Sequence, residues 1–283
     1  MVKRNKRGTA NALLVAAFFM YVPAALAQTV AISQCQGQCP VYDSASAQRN
    51  AQVVIHHVYA AGLNGQTGLA DWVAYRMTSD AVGVASLLTR SWQPDRLVDS
   101  NRDLEIMEST AAQISLASIS QRDNPYAGVN PPSPKAEDRA RLAPITSFAN
   151  TPYWSDLNNL SNMVPMPAAL RLGAWLRLEQ ALNSLVTKSG ELYVVTGPLF
   201  LITESLSSTS ASNSFTPAAY YKLVVAEEGF AAFVFNENLQ QHVSYCDQQS
   251  PLEQIEKMSG LTLLPDDQYF ESPALLEQLG CNH

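Results

Sequence analysis

Four cysteines are the residues that could carry redox, metal or thiol chemistry. Cys35 and Cys39 are four residues apart, and Cys246 and Cys281 are 35 apart. A zinc site is disfavoured because no histidine lies near the first pair to complete the ligand set. We expect two disulfides instead, and three pairings are possible, of which local pairing within each couple is the simplest. No free thiol would then remain for cysteine–histidine catalysis.

The first 27 residues have the pattern of an export signal. Four basic residues lie between positions 3 and 7, an apolar stretch covers 12–25, and an Ala-x-Ala pattern ends at Ala27. The alternative is an uncleaved anchor, but the stretch is short for a span of about 20 residues. We expect cleavage after Ala27, no later membrane attachment, and a periplasmic or secreted protein of one domain over 28–283.

The charge balance argues against a general polyanion binder. The chain has 18 Lys and Arg against 25 Asp and Glu, a net charge of −7. Residues 1–27 contribute four basic and no acidic residues, so the mature chain has 14 against 25, a net charge of −11. Nucleic-acid binding relies on Lys and Arg that displace counterions. A local basic cleft stays compatible with this balance, although the overall field opposes it.

Strands and helices alternate irregularly along the remaining chain. Strands are predicted at 53–59, 72–77, 192–196, 220–226 and 230–235, and helices at 167–188 and 251–259. The two last strands are joined by Glu227, Glu228 and Gly229, which predicts a hairpin. Since no regular βαβ repeat occurs, the fold class is predicted to be α+β. The chain also has no P-loop, no dinucleotide-binding glycine motif and no nucleophile elbow.

Turn signals are predicted to separate these elements. Residues 62–68 are rich in glycine and polar residues and are predicted to join the first two strands. Gly197 and Pro198 are predicted to end the strand before them. Residues 250–253 (S-P-L-E) have the pattern of a capping box that starts the short helix. The polar stretch 93–137 is predicted to be a long surface excursion with one short helix at most.

Several short motifs, in a fixed order, resemble one family. The chain resembles the secreted non-specific DNA/RNA endonucleases with a ββα-metal (His-Me finger) core over about 35–283. The motifs are 71–76 (D-W-V-A-Y-R), 89–92 (T-R-S-W), 138–144 (D-R-A-R-L-A-P), 160–165 (L-S-N-M-V-P), 173–179 (G-A-W-L-R-L-E) and 195–198 (V-T-G-P). The cysteine spacings fit the bacterial, two-disulfide branch. The resemblance implies a central, mostly antiparallel sheet flanked by helices.

The resemblance also implies a chemistry, metal-assisted hydrolysis of phosphodiesters. In this family a histidine takes a proton from the attacking water, a role suited to a base that titrates near neutral pH. An asparagine holds a Mg²⁺ ion that otherwise keeps mostly water ligands, and a glutamate on the same helix orients one of those waters. Arginines neutralise charge that develops on the phosphate. The implied ligands are DNA or RNA, and the implied assembly is a homodimer.

Some of the family's site positions are retained in this chain. Glu179 stands at the glutamate position, and Arg90 and Arg139 stand at the two arginine positions. Asp138 and Asn162 match supporting positions in the catalytic motifs. Each could instead be structural: Glu179 a helix-surface carboxylate, Arg90 a surface cation, and Asp138 with Arg139 an ion pair.

The two central positions are substituted. Arg141 stands where the motif has its histidine, and Arg171 stands where the metal-binding asparagine is expected. Arginine has a pKa above about 12 and stays protonated, so it cannot accept a proton at neutral pH. Loss of a general base typically lowers the rate by about 10²–10⁴. A guanidinium about 4 Å from Mg²⁺ would repel it by about 8 kcal/mol at an effective dielectric constant of about 20.

The histidines offer no clear replacement for the base. The chain has four: His56, His57, His242 and His283. His56 and His57 lie in a predicted strand far from 138–141 in sequence, and His242 follows the second strand of the hairpin. We therefore expect none of them to take over proton transfer.

Three functions are compatible with this pattern. The first is an exported pseudoenzyme. Its arginines either bind a phosphate-bearing ligand, with Arg90, Arg139, Arg141 and Arg171 as the binding residues, or close the site, with Arg141 and Arg171 bonded to Glu179 or Asp138. The second is an active nuclease that uses another base. The third is a non-enzymatic binding protein, for example a partner of an active relative. We predict the first, in which the substituted positions disfavour magnesium binding.

Overall fold

The computed structural model describes residues 31–45, 47, 51–65, 69–98, 139–200, 217–265 and 269–281. Ala31–His283 cluster into one compact unit. The predicted signal segment and Asp138 lie outside the described residues, as does most of the predicted surface excursion. Within the described ranges, no helix is both long and apolar enough to cross a membrane.

Strands dominate the described part of the chain. They are β1 (Val41–Tyr42), β2 (Ala51–Ile55), β3 (Ala60–Asn64), β4 (Ala70–Thr78), β5 (Arg139–Arg141), β6 (Met163–Pro165), β7 (Glu191–Leu199), β8 (Ala219–Ala226), β9 (Gly229–Asn236) and β10 (Leu261–Thr262). The α-helices are α1 (Ala168–Arg171), α2 (Ala174–Ser189), α3 (Leu252–Ser259) and α4 (Pro273–Gln278). Short 3₁₀ turns cover Ile145–Ser147, Trp154–Asn158, Leu160–Asn162 and Tyr245–Gln248.

Six of these strands form one antiparallel sheet in the order β2-β3-β4-β7-β8-β9. Every residue of β8 is buried, so both faces of the sheet are covered there. Successive side chains of a strand point to opposite faces. Accordingly Tyr220 and Val224 join the core cluster that contains α2, whereas Tyr221 and Leu223 join the cluster on the other face. The predicted α+β class, with a central antiparallel sheet and flanking helices, is confirmed.

The prediction for the first two strands was partly wrong. The chain turns after Ile55, and a further strand, β3, includes the first three residues of the stretch predicted as a turn. Gly62 pairs with Trp72 across β3 and β4. A Cβ on Gly62 would lie 2.1 Å from Nε1 of Trp72, so the glycine here makes room for an indole within a strand. The β4 prediction itself is confirmed.

The predicted end of β7 at Gly197 and Pro198 was also wrong, because the strand continues to Leu199. The register explains the proline. Pairing with β4 stops at Thr196, whereas pairing with β8 continues through Pro198 opposite Tyr220. A proline is tolerated in a sheet where its strand has a partner on one side only. The hairpin of β8 and β9 is confirmed, with Gly229 at φ 130° after the two-residue loop.

The long helix predicted over 167–188 is present but divided. Helix α1 ends at Arg171 and α2 begins at Ala174. A Cβ on Gly173 would lie 2.5 Å from the carbonyl oxygen of Ala169 and 2.8 Å from that of Gln241, so close backbone packing requires glycine at the break.

The C-terminal predictions are largely confirmed. Helix α3 is present and ends at Gly260, which adopts the left-handed conformation with φ 67°. The capping box was wrong, since Pro251 is the N-cap residue and no side chain caps the helix. Both disulfides have the local pairing, Cys35 with Cys39 and Cys246 with Cys281, and no cysteine is free.

Candidate functional site

A small two-stranded ribbon and the helices after it build the site. Strands β5 and β6 are antiparallel, with Arg141 opposite Met163. Ala140 is buried in the core, and the residues on either side of it alternate away from it. This places Arg139 and Arg141 on the same side of β5, and the chain after β6 runs directly into α1 and α2.

Five of the seven site residues that the sequence predicted line one cleft. The cleft has an open volume of about 250 Å³, and its walls also include apolar side chains such as Ile145 and Trp175. The five are Arg90, Arg139, Arg141, Arg171 and Glu179. Residues separated by almost 90 positions in the sequence are therefore brought together in the fold.

Arg141 is held firmly by the cleft wall. Its Nε donates to the carbonyl oxygen of Leu157 at 3.2 Å, and its Nη2 donates to the carbonyl oxygen of Arg90 at 3.0 Å and to Oδ1 of Asn158 at 2.5 Å. The guanidinium also lies over the ring of Trp92, 4.2 Å from its centre. A cation over an indole face is attracted by the ring quadrupole. The side chain is therefore fixed by the protein.

Arg141 remains a cation at neutral pH. Burial lowers its pKa to about 10, and the nearby positive charge of Arg90 adds to this effect. Both causes disfavour the charged form. Even so, a pKa of about 10 leaves the guanidinium protonated at pH 7. It cannot accept a proton from water under such conditions.

Glu179 has a partner that sequence reasoning missed. Nζ of Lys222 lies 3.2 Å from Oε1 of Glu179 and 4.0 Å from the centre of the Trp175 ring. The side chain of Lys222 is fully buried, and Glu179 is 8% exposed. Burial raises the pKa of Glu179 and lowers that of Lys222, while their mutual attraction opposes both shifts. A lysine within the otherwise apolar β8 was the signal that could have revealed this pair.

The structure also tests whether Arg141 closes the site through an acidic residue. Among the described residues, Arg141 bonds to backbone and amide oxygens, and Glu179 bonds to Lys222. Arg141 therefore does not pair with Glu179, which was one of the alternatives that the sequence left open, and its pairing with Asp138 lies outside the described residues. The physical reason is that β8 already supplies a buried ammonium beside the carboxylate.

Asn162 has a structural position outside the cleft lining. It is completely buried, and its Nδ2 donates to the carbonyl oxygens of Ala143 and Leu157, at 3.0 Å each. Its Oδ1 accepts from the backbone N–H of Ala143 at 2.8 Å. These bonds fasten the chain after β5 to the 3₁₀ turns before β6. Asn162 thus orients the strand that bears Arg139 and Arg141.

None of the described histidines lines the cleft. Nε2 of His56 lies 2.8 Å from Oδ2 of Asp95, in a buried network with Ser161. His57 stacks on Tyr153, with ring centres 3.9 Å apart. His242 lies in the turn region after β9, and His283 lies outside the described residues. The expectation that His56 and His57 share a single strand was wrong, because both follow the end of β2.

The six-stranded antiparallel sheet, the ββα arrangement of β5, β6 and the helices, and the cleft beside them define the fold of the ββα-metal nucleases. The chain belongs to the DNA/RNA non-specific endonuclease family, whose sequence model matches residues 40–269.

Three known proteins show the range of similarity. "Nuclease" of Serratia marcescens is 30% identical over 289 residues, which cover 96% of this chain and 98% of that protein. "Nuclease C1" of Cunninghamella echinulata var. echinulata is 29% identical over 140 residues, which cover 44% of this chain and 56% of that protein. The crystal structure of the EndoG/EndoGI complex contains a chain with a TM-score of 0.55 and 19% identity, covering 74% of this chain and 84% of that one. This last similarity supports the fold alone.

The cleft residues do not fit the magnesium ion that the resemblance implied. Mg²⁺ prefers oxygen ligands, and Arg171 offers none. Among the described lining residues, Glu179 is the one carboxylate, and it already accepts from Lys222. No group of three or more His, Cys, Asp or Glu within the described ranges could hold a metal ion. Four guanidiniums around the same space would repel a divalent cation.

Proposed function

We propose that this chain is an exported pseudoenzyme of the endonuclease family, which binds a phosphate-bearing ligand in its arginine cleft and hydrolyses it slowly or not at all. The observation that carries the proposal is the fixed position of Arg141. Its guanidinium occupies the motif position where the family resemblance implies a histidine, and four interactions hold it there.

The loss of proton transfer is the reason for the low activity. A general base contributes about 10²–10⁴ to the rate, and Arg141 cannot act as one at neutral pH. Glu179 is the nearest carboxylate among the described cleft residues, but its Oε1 faces the ammonium of Lys222. Arg171 compounds the defect because it brings a positive charge in place of a metal-ligating amide oxygen.

The retained cations support binding in place of hydrolysis. Arg90 is exposed and makes one long hydrogen bond, 3.5 Å from Nη2 to the carbonyl oxygen of Ala85, among the described residues. Its remaining donors are available to a ligand. Arginine matches the geometry of phosphate oxygens through paired N–H groups. DNA and RNA are therefore the proposed ligand classes, consistent with the family.

The proposal includes location outside the cytoplasm. Two disulfides are typical of oxidising compartments such as the periplasm or the extracellular space. The pattern of residues 1–27 adds the export signal, and removal after Ala27 would leave one domain over 28–283. A homodimer stays a prediction.

A direct assay tests the proposed function. The purified chain and the Serratia marcescens nuclease are compared at equal concentration on plasmid DNA and on RNA, with Mg²⁺ or Mn²⁺. We expect cleavage at least about 100-fold slower than that of the relative, since the base is absent. Turnover within tenfold of the relative would contradict the proposal.

A matched variant identifies the source of any residual cleavage. If a rearranged site supports slow hydrolysis, Glu179→Ala should abolish it, because this carboxylate is the one described in the cleft. Activity that survives the substitution would come from elsewhere, including a contaminating nuclease. The active-nuclease alternative would be favoured if the unmodified chain approached the activity of the relative and Glu179→Ala abolished that activity.

A further inference from the structure

Resting on the proposed function, we infer that the cleft recognises a phosphate group bearing two negative charges, such as the terminal phosphate of a nucleic acid or inorganic phosphate, and does so without a metal ion. The inference combines the charge of the cleft, the donors that its arginines still offer, and its size.

Charge is the first argument. Four arginines line the cleft, and the one carboxylate described among the lining residues is neutralised by Lys222. A terminal phosphate carries about −1.5 to −2 charge near pH 7, with three unesterified oxygens. An internal phosphodiester carries one negative charge and two such oxygens, so it neutralises less of the positive charge of the cleft.

The second argument is the arrangement of donors. Arg141 is committed through Nε and Nη2, but its Nη1 makes no hydrogen bond to any described residue. The position of this guanidinium is thus fixed before a ligand arrives, and one amino group remains to be used. Arg90 stands at the exposed side of the cleft with most of its donors uncommitted among the described residues. A fixed donor and a solvent-exposed one on the same cavity suit an anion that enters from solvent.

Size and overall charge are the third argument. An open volume of about 250 Å³ is smaller than the roughly 300–1,000 Å³ of pockets that enclose drug-sized ligands. The cleft therefore admits a phosphate group, with the rest of a larger ligand outside. The net charge of −7 for the whole chain opposes extended contact with a polyanion. A chain end that presents one phosphate avoids most of this repulsion.

Binding measurements in EDTA test the inference. One fluorescent oligonucleotide sequence is prepared with a 5′-phosphate, with a 3′-phosphate, or with neither. We expect at least one phosphorylated form to bind about tenfold more tightly than the unphosphorylated form, the gain expected of one or more charge-assisted hydrogen bonds. Equal affinities for all three forms would overturn the inference.

Two substitutions locate the binding. Arg90→Ala should remove most of the preference for the phosphorylated form, and because Arg90 is exposed, this change should leave the fold intact. Arg96 is an exposed arginine outside the cleft lining, so Arg96→Ala is the matched control and should leave all affinities unchanged. A preference that persists in Arg90→Ala, or that is lost equally in Arg96→Ala, would overturn the inference.

Competition with inorganic phosphate separates the two sources. If inorganic phosphate displaces the phosphorylated oligonucleotide at a concentration close to the dissociation constant of the oligonucleotide, the free ion is the ligand that the cleft recognises. Displacement at much higher concentration would assign the nucleic-acid end, and both results support the inference, whereas no displacement contradicts it. Because EDTA removes divalent metals, these binding results do not depend on hydrolysis. Mg²⁺-dependent turnover within tenfold of that of the Serratia marcescens nuclease would contradict the proposed function and leave them unaffected.

Discussion

Nη2 of Arg141 donates a 3.0 Å hydrogen bond to the backbone carbonyl of Arg90. The same nitrogen donates to Asn158, whose Nδ2 in turn donates to the carbonyl of Thr89 at 3.0 Å. Arg141 thus fastens β5 to the segment that presents a second cleft arginine. Arg141 thereby holds the backbone of Arg90 in place.

Arg141 should therefore contribute to stability. Arg141→Ala removes three hydrogen bonds and the contact with Trp92, and it leaves a buried oxygen of Asn158 without this donor. We expect the free energy of unfolding to fall by about 1–3 kcal/mol in urea titrations, the usual cost of unmet buried polar groups. Arg96→Ala, as an exposed control, should change it by less than about 0.5 kcal/mol. Equal stability of Arg141→Ala and the unmodified chain would contradict the proposed fastening role.

The buried pair of Lys222 and Glu179 should behave as a unit. Lys222→Met leaves a buried carboxylate without its cation and should lower the free energy of unfolding by about 3–5 kcal/mol. Adding Glu179→Gln removes the unpaired charge, so the double variant should be more stable than Lys222→Met alone. A double-mutant cycle from denaturant titrations measures this coupling. Strictly additive effects would show that the two residues do not interact.

Asp71 should make stability depend on pH. Burial raises its pKa to about 6 from 3.8, although hydrogen bonds from Tyr42 and Asn64 work against the shift. Because the folded state prefers the protonated form, this contribution is fully present below about pH 4 and is lost as the pH rises through about 6. The amide introduced by Asp71→Asn would carry no charge at any pH, so the variant should not lose this stability. Its free energy of unfolding, relative to that of the unmodified chain, should rise by up to about 2–3 kcal/mol between pH 4 and pH 7.5.

The pH dependence is checked by unfolding both proteins in urea at several pH values. The quantity of interest is the difference between their free energies of unfolding, since other titrating groups cancel in it. This difference should shift in favour of Asp71→Asn as the pH rises. A difference that stays constant from pH 4 to pH 7.5 would mean that Asp71 does not titrate with a raised pKa.

Much of the architecture was predictable because its signals are local. The alternation of β8 and β9 and the turn at Gly229 specify a hairpin without distant contacts. Two glycines explain two errors: Gly62 was predicted to lie in a turn but lies in β3, and the helix predicted over 167–188 is divided at Gly173. Each glycine makes room for a group distant in sequence, the Trp72 indole or the backbone at Gln241, and local patterns carry no information about such packing.

The site was predictable in composition and less so in its bonding. Motif positions identified the four arginines and Glu179, and the fold brings all five to one cleft. The partner of Glu179 was missed because Lys222 is 43 residues away and reaches the helix only through the register of β8 against β7. The role of Asn162 was similarly hidden, because its amide meets backbone groups and no other site residue.

The most direct test of the central claim is the double reversion Arg141→His with Arg171→Asn, assayed on plasmid DNA with Mg²⁺. Since the scaffold, Arg90, Arg139 and Glu179 are in place, we expect cleavage at least about 100-fold faster than that of the unmodified chain, the contribution of a general base. Glu179→Ala added to the double reversion should abolish this gain. Comparable cleavage by the unmodified chain and the double reversion, whether fast or undetectable in both, would contradict the claim that these two arginines silence the site.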